Sequence, residues 1–304
     1  MTVEHAPSVQ VRIAPEVKPD VNGEADRWLT YIRRLVTRIE DPTLDLRERL
    51  DSLGTAAQAL DTFFQVKVQR FVDAASNGAQ PTVSSTGDAA DLATRCALTF
   101  RDDLCGRLQD YGVQLLRPNE LLRRDRAQVS EFFMRAVFPL LTPMSVDPGR
   151  PFPRIADLSL NIAALIEGSK RRGEFVRIEV PRHLPRFLRF SERHVFVPVE
   201  ECIGANLHHI FQGVSVREHH AFRLTRALFV DDADEPARSS DADLVRVGNP
   251  PRPPVRLELD AAMPAPLVAF LTQRVGVPAS HTHVVPGPID LSTAPSLLTN
   301  GTRR

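Results

Sequence analysis

Lysine is almost missing from this chain. Of its 38 basic residues only Lys18, Lys67 and Lys170 are lysines, so nearly every positive charge is an arginine. Arginine's planar fork suits bidentate contacts to carboxylates and phosphates, although a coding bias toward arginine, alanine and proline produces the same skew. Net charge is missing as well. The 38 acidic residues cancel the basic ones, leaving no overall field to draw the chain to nucleic acid or to an anionic membrane. Cysteine is scarce: Cys96, Cys105 and Cys202 are odd in number and contain no C-x-x-C, which argues against a disulfide framework and against a zinc site. No apolar run approaches the roughly 18–20 residues of a membrane-spanning helix. Residues 1–21 carry Glu4, Glu16 and Asp20 and no apolar stretch, unlike a secretory signal. The expected setting is the cytoplasm. Phosphate-cradling G-x-x-x-x-G-K-[ST] and G-x-G-x-x-G loops are absent, as is the G-x-S-x-G elbow of a hydrolase.

What is present divides into two parts. A chain of 304 residues with 42% hydrophobic composition is long enough for about two domains. After a polar, proline-bearing arm (1–21, expected disordered), Trp28, Tyr31, Ile32, Leu35 and Ile39 recur at helical spacing, and Pro42 ends that helix. Leu46, Leu50, Leu53, Ala57, Leu60, Phe64 and Phe71 stripe a second helix. Residues 76–90 read as a turn-rich loop, and Leu92, Cys96, Leu104, Leu108 and Tyr111 stripe a third helix. Short links make these an antiparallel three-helix bundle over 22–117. Asp125 is placed as the cap of a helix running to Val137.

Five prolines then fall between Pro139 and Pro153, interleaved with Leu140, Leu141, Val146 and Phe152. Prolines exclude a helix or central strand there, while the apolar residues call for a packed, rigid connection. Beyond it the period becomes two. Strands are expected at 158–166, 175–180, 195–199, 222–230, 255–259 and 282–285, and helices at 200–211 and 264–275. Residues 231–254 are acidic and then proline-rich, an exposed excursion. The fold class is α+β: the helical domain, then a mixed α+β head domain over 118–295, with 296–304 as a disordered tail.

The histidine pairs His208–His209 and His219–His220 point apart on any regular element, and His281 and His283 lack a further ligand nearby. The Asp231, Asp232, Asp234 and Glu235 run lacks a calcium loop's spacing. No metal site is assigned.

The segment from Phe138 resembles the head domain of the long-chain polyphosphate kinases, which carries F-P-x-L-T-P-x-x-V-D-x-x-x-P-F-P and then L-S-L-N. The matches are Phe138, Pro139, Leu141, Thr142, Pro143, Val146, Asp147, Pro151, Phe152, Pro153 and Leu158–Asn161. P-R-F follows at Pro185–Phe187, F-V-P-x-E at Phe196–Glu200, and N-L at Asn206 and Leu207. F-R-x-T-R lies at Phe222–Arg226, V-R-L-E at Val255–Glu258, and G-P-x-D-L at Gly287–Leu291. The helical domain resembles the family less closely. Its S-N-L-D-E-F-F-x-V-R reads here Gln58-Ala59-Leu60-Asp61-Thr62-Phe63-Phe64-Gln65-Val66-Lys67.

The resemblance implies an ATP–polyphosphate phosphotransferase framework using ATP and magnesium. It also implies that the asparagine at the position of Ala59 holds adenine, so nucleotide binding is doubtful here and no cofactor is assigned. Family catalysis uses a histidine in two later domains. The chain stops at Arg304, and no histidine in it has lysine two positions on. No catalytic residue is therefore named, and inactivity in isolation is expected. Arg186, Arg223, Arg226 and Arg256 sit in matched motifs and are the candidate polyphosphate contacts. The alternative for them is internal pairing with Glu179, Glu258 or Asp290. Three readings follow. The first is a non-catalytic interaction module, either a homo-oligomer or bound to a polyphosphate kinase catalytic chain. The second is a subunit or fragment of a phosphotransferase active only with a separate catalytic half. The third is a polyphosphate- or nucleotide-binding regulator.

Overall fold

A computed structural model describes residues 24–68, 84–146, 152–168, 171–190, 194–228 and 252–299. The arm at 1–21, Phe71, the motif residues Asp147 and Pro151, and most of the 231–254 excursion lie outside these residues.

Three helices come first. Helices α1 (Glu24–Glu40) and α2 (Leu46–Phe63) meet at a turn where Asp45 accepts a hydrogen bond from the Arg47 amide at 2.8 Å, satisfying a donor left free at the start of α2. Helix α2 widens into a further turn, Phe64–Val68. Helix α3 (Ser84–Thr99) runs on through the wide turn Phe100–Leu104 into Cys105–Asp110. Leu29, Ile32, Val36 and Ile39 of α1 pack against Leu50, Leu53, Leu60 and Phe63 and against Leu92, Cys96 and Phe100. Each such side chain contributes about 1.5–3 kcal/mol on burial. Buried Arg49 ties the bundle internally, donating Nε to the Ile39 carbonyl at 2.8 Å and Nη2 to Asp103 at 2.5 Å.

The head is built on a six-stranded sheet in the order β2 (Met144–Ser145), β4 (Arg171–Glu179), β3 (Ser159–Gly168), β7 (Ser215–Arg226), β8 (Pro254–Asp260), β9 (Thr282–Val285). Among the described residues of this sheet only the β8–β9 pair is parallel. A smaller sheet orders β1 (Gln114–Leu115), β6 (Val195–Pro198) and β5 (Phe187–Phe190). Strand alternation sets the layers. Phe222, Leu224, Leu257 and Leu259 meet Leu267 and Leu271 of helix α7 (Ala265–Val275) on one side of the large sheet. Leu160, Ile162, Ala164 and Ile178 meet the small sheet and helix α4 (Arg123–Phe132) on the other. The small sheet serves two cores: Leu188, Val195 and Val197 face the head, while Phe187 and Phe196 complete the helical bundle.

Several expectations are corrected. The chain is already helical from Ser84 rather than a loop to residue 90, because Ala89, Leu92 and Cys96 form one buried stripe. Asp125 is not the cap; α4 starts after Leu122, and Asp125 is buried in its first turn, where the helix dipole favours a carboxylate. The helix expected at 200–211 is two, α5 (Val199–Ala205) and α6 (Leu207–Ile210). They break at Asn206, whose side chain donates to the Cys202 carbonyl and accepts from the Ser130 hydroxyl, each at 2.8 Å. The strand at 222 begins earlier, at Ser215. The stretch expected to be a loose tail holds helix α8 (Ser296–Thr299), with Leu297 and Leu298 inserted into the bundle core. Among the described residues no helix is long and apolar enough to cross a membrane.

Candidate functional site

The motif charges meet where α2 lies across β7 and β8. On those strands the residues facing α7 are apolar, so the alternate positions, Arg223, Arg256 and Glu258, are turned toward the bundle. Arg223 forks onto Asp61 of α2, at 2.8 Å to Oδ1 and 2.5 Å to Oδ2, and also reaches Glu258 at 3.1 Å and Asp290 at 4.0 Å. Arg256 pairs with Glu258 at 2.9 Å and Asp61 at 3.4 Å, and lies over the Phe64 ring at 4.5 Å. Arg186 grips Glu200 through both terminal nitrogens and donates to the Ile289 carbonyl at 2.9 and 2.6 Å. It thereby holds the strap that carries Asp290. Arg223, Arg256 and Arg186 are 4%, 3% and 8% exposed, so these pairs are buried rather than solvated.

The electrostatics are those of a closed network. Burial opposes the Arg223 charge, but Asp61, Asp290 and Glu258 outweigh it and hold the guanidinium protonated far above its ordinary range. Burial pushes the Asp290 carboxyl up, yet Arg223 and the bonds from Ser292 prevail and hold it below the usual carboxylate range. Asp290 has a left-handed backbone (φ 64°), which its own carboxylate supports by accepting from the Ser292 amide at 3.2 Å and hydroxyl at 2.6 Å. Asp61 is pulled two ways, up by burial and Glu258 and down by the two arginines. A cavity of about 40 Å³ beside Asp61, Arg223 and Arg256 has room for a water or two and no more.

Two arginines facing three carboxylates leave no free positive charge there, and an entering polyanion would meet Asp61, Glu258 and Asp290. Of the internal partners foreseen for the arginines, Glu258 and Asp290 are in place. Glu179 instead binds Arg177, which also donates to Asn161 at 2.8 Å; this is what the L-S-L-N segment builds. Asp61 and Glu200 were not foreseen as partners. Their signal was present, since both are the acidic positions of matched motifs. Arg226 differs from the other three. It donates to the carbonyls of Ile155 (2.8 Å) and Arg252 (2.6 Å), with no carboxylate at its guanidinium among the described residues.

Ala59 is 7% exposed inside the bundle core. With neither a polar group nor an open face, this position does not fit an adenine ring. Among the described residues no three His, Cys, Asp or Glu side chains converge as a metal would need. Contrary to the expectation that they point apart, His208 and His209 on the short helix α6 bring their rings to 4.0 Å, tilted by 40°; His220 lies between Glu218 at 3.2 Å and Asp260 at 3.8 Å. His283 packs against Phe64 at 5.5 Å; burial and then Arg256 hold it down to about 4.

The chain matches the polyphosphate kinase N-terminal domain over residues 24–116 and the polyphosphate kinase middle domain over residues 124–297. It is 34% identical to a polyphosphate kinase of Streptomyces coelicolor, over 87% of this chain and 37% of that protein. It is 33% identical to one of Mycobacterium marinum (88% and 39%) and 31% identical to one of Mycobacterium leprae (94% and 43%). The crystal structure of polyphosphate kinase from Porphyromonas gingivalis superposes with a TM-score of 0.74 at 18% identity, over 88% of this chain and 40% of that one. The chain thus spans well under half the length of these relatives. By both matched domains, it belongs to the polyphosphate kinase family.

Proposed function

We propose that this chain acts as a non-catalytic interaction module of polyphosphate metabolism in the cytoplasm, self-associating or docking on a polyphosphate kinase catalytic chain. The observation that carries this reading is the pairing of the motif charges with one another. Arg186, Arg223 and Arg256 are held by Glu200, Asp61, Glu258 and Asp290, so the family framework is retained as a scaffold. Ala59 adds to it, because the position implied to hold adenine is apolar and buried. Mixing the purified chain with the cell's polyphosphate kinase, and following complex size and synthesis rate, tests it. A complex or a changed rate is expected; no complex together with no change in rate would count against the module.

The relatives' names favour a second reading, a subunit or fragment that supports ATP-dependent polyphosphate synthesis only with a catalytic half. Restored synthesis on adding that half would distinguish it from a purely regulatory partner. Contact with a long polyphosphate chain is proposed at Arg226, whose guanidinium is bonded to carbonyls, with Arg154 and Asp157 nearby. Salt-sensitive binding of long-chain polyphosphate that is weakened in Arg226→Ala, and unchanged in Arg223→Ala, is the expected result.

A further inference from the structure

An open cleft of about 480 Å³ lies away from the junction, between α4 and the α5–α6 break. Arg123, Arg126 and His208 supply its basic groups, Pro118, Ala127 and Ala205 its apolar walls, and no carboxylate lines it. Its volume falls in the range of small-ligand pockets. Arg126 is fixed there without being neutralised. Nε donates to the Pro118 carbonyl at 3.1 Å, and Nη2 to the Asn119 and Leu121 carbonyls at 3.3 and 3.2 Å. Nη1 takes no part in these bonds. Neither Arg123 nor Arg126 is ion-paired among the described residues, in contrast to Arg223. The two walls are tied together from below by the Ser130–Asn206 hydrogen bond, which fixes the width of the cleft.

We propose that this cleft binds a small phosphorylated anion, with the phosphoryl group between Arg123, Arg126 and His208 and the rest of the molecule on the apolar walls. A guanidinium held in place by carbonyls meets the ligand already oriented, which lowers the ordering cost of binding. Two sources share this chemistry, an organic phosphoester and an inorganic phosphate chain. The site does not depend on the function proposed above, because its readout is binding by the isolated chain.

The test is calorimetric titration of the whole chain with AMP, tripolyphosphate and orthophosphate at two salt concentrations. Amide NMR shifts would report where each probe binds. Binding of AMP or tripolyphosphate that weakens with salt is expected, with shifts centred on Ala127–Ser130 and Ala205–His208; which of the two binds identifies the source. The Arg123→Ala/His208→Ala double variant leaves the carbonyl bonds of Arg126 intact and is expected to weaken binding at least about tenfold, as loss of charge-assisted contacts does. Arg126→Lys keeps the charge but not the fork, and is expected to weaken it as well. No binding of any probe, binding indifferent to these variants, or shifts centred elsewhere would overturn the proposal.

Discussion

Two sets of arginines in this protein meet opposite fates. Arg223 and Arg256 lie on strands, deep between two domains, and each is matched by carboxylates that arrive from α2, β8 and the Asp290 strap. Arg123 and Arg126 lie on the first turn of a surface helix; among the described residues one has no acidic partner and the other is steadied by carbonyls. The first set carries the family's sequence motifs and the second does not. A motif arginine can thus have its charge matched by carboxylates inside the fold. Here Arg223 and Arg256 join the bundle to the head through Asp61, while Arg123 and Arg126 remain exposed.

The largest expected effect tests the buried set. Arg223→Met leaves Asp61, Glu258 and Asp290 without their main counter-charge in a dry site, and denaturant unfolding should show a loss of about 3–5 kcal/mol. A loss below about 1 kcal/mol, the range of solvated surface pairs, would place the cluster in solvent.

Closeness at the same junction gives the next effect. Gly54 lies inside α2, where alanine ordinarily stabilises a helix by about 1 kcal/mol. A Cβ there would stand 2.8 Å from the Ser292 carbonyl oxygen and 2.9 Å from Pro295 Cγ. Gly54→Ala is therefore expected to destabilise by about 1–3 kcal/mol, as overpacking does. A gain in melting temperature would show that the bundle and the 292–295 strap are not in contact.

Acid tests the junction through His283. Its pKa is held down to about 4, against an ordinary 6.5, so the fold favours the neutral ring. Above 6.5 the ring is neutral in both states and its contribution is fully present. As pH falls from 6.5 to 4 the unfolded chain alone takes the proton, and stability declines; below 4 the slope from this residue ends. The half-buried edge of the ring tempers the loss to about 1–3 kcal/mol. His283→Gln should flatten that part of the stability–pH curve, and an unchanged slope would remove His283 from the account. The smallest effect belongs to the open set. Arg123→Ala is expected to change stability by less than about 0.5 kcal/mol, because it breaks no pairing among the described residues.

Much of this was legible in the sequence. The change of hydrophobic period separates the bundle from the head, and the density of motif matches names the framework. The pairing of Arg223 with Asp61 was not legible, because 162 residues separate them and nothing local says which strand face α2 will cover. The break at Asn206 was hidden for a similar reason, since its partner Ser130 lies on another helix. Leu297 and Leu298 looked like a loose end because their core is supplied by helices at the other end of the chain. The Arg123–Arg126 cleft carried no motif, and only the packing of α4 beside the α5–α6 break creates it.

Arg223 and Arg256 bind the two domains to each other, and a double-mutant cycle between Asp61→Asn and Arg223→Met puts that bond to the test. A coupling energy of about 2–3 kcal/mol is expected, with the double variant less damaged than the single effects would sum to. A coupling within about 0.5 kcal/mol of zero, with polyphosphate affinity lost in Arg223→Met alone, would contradict it.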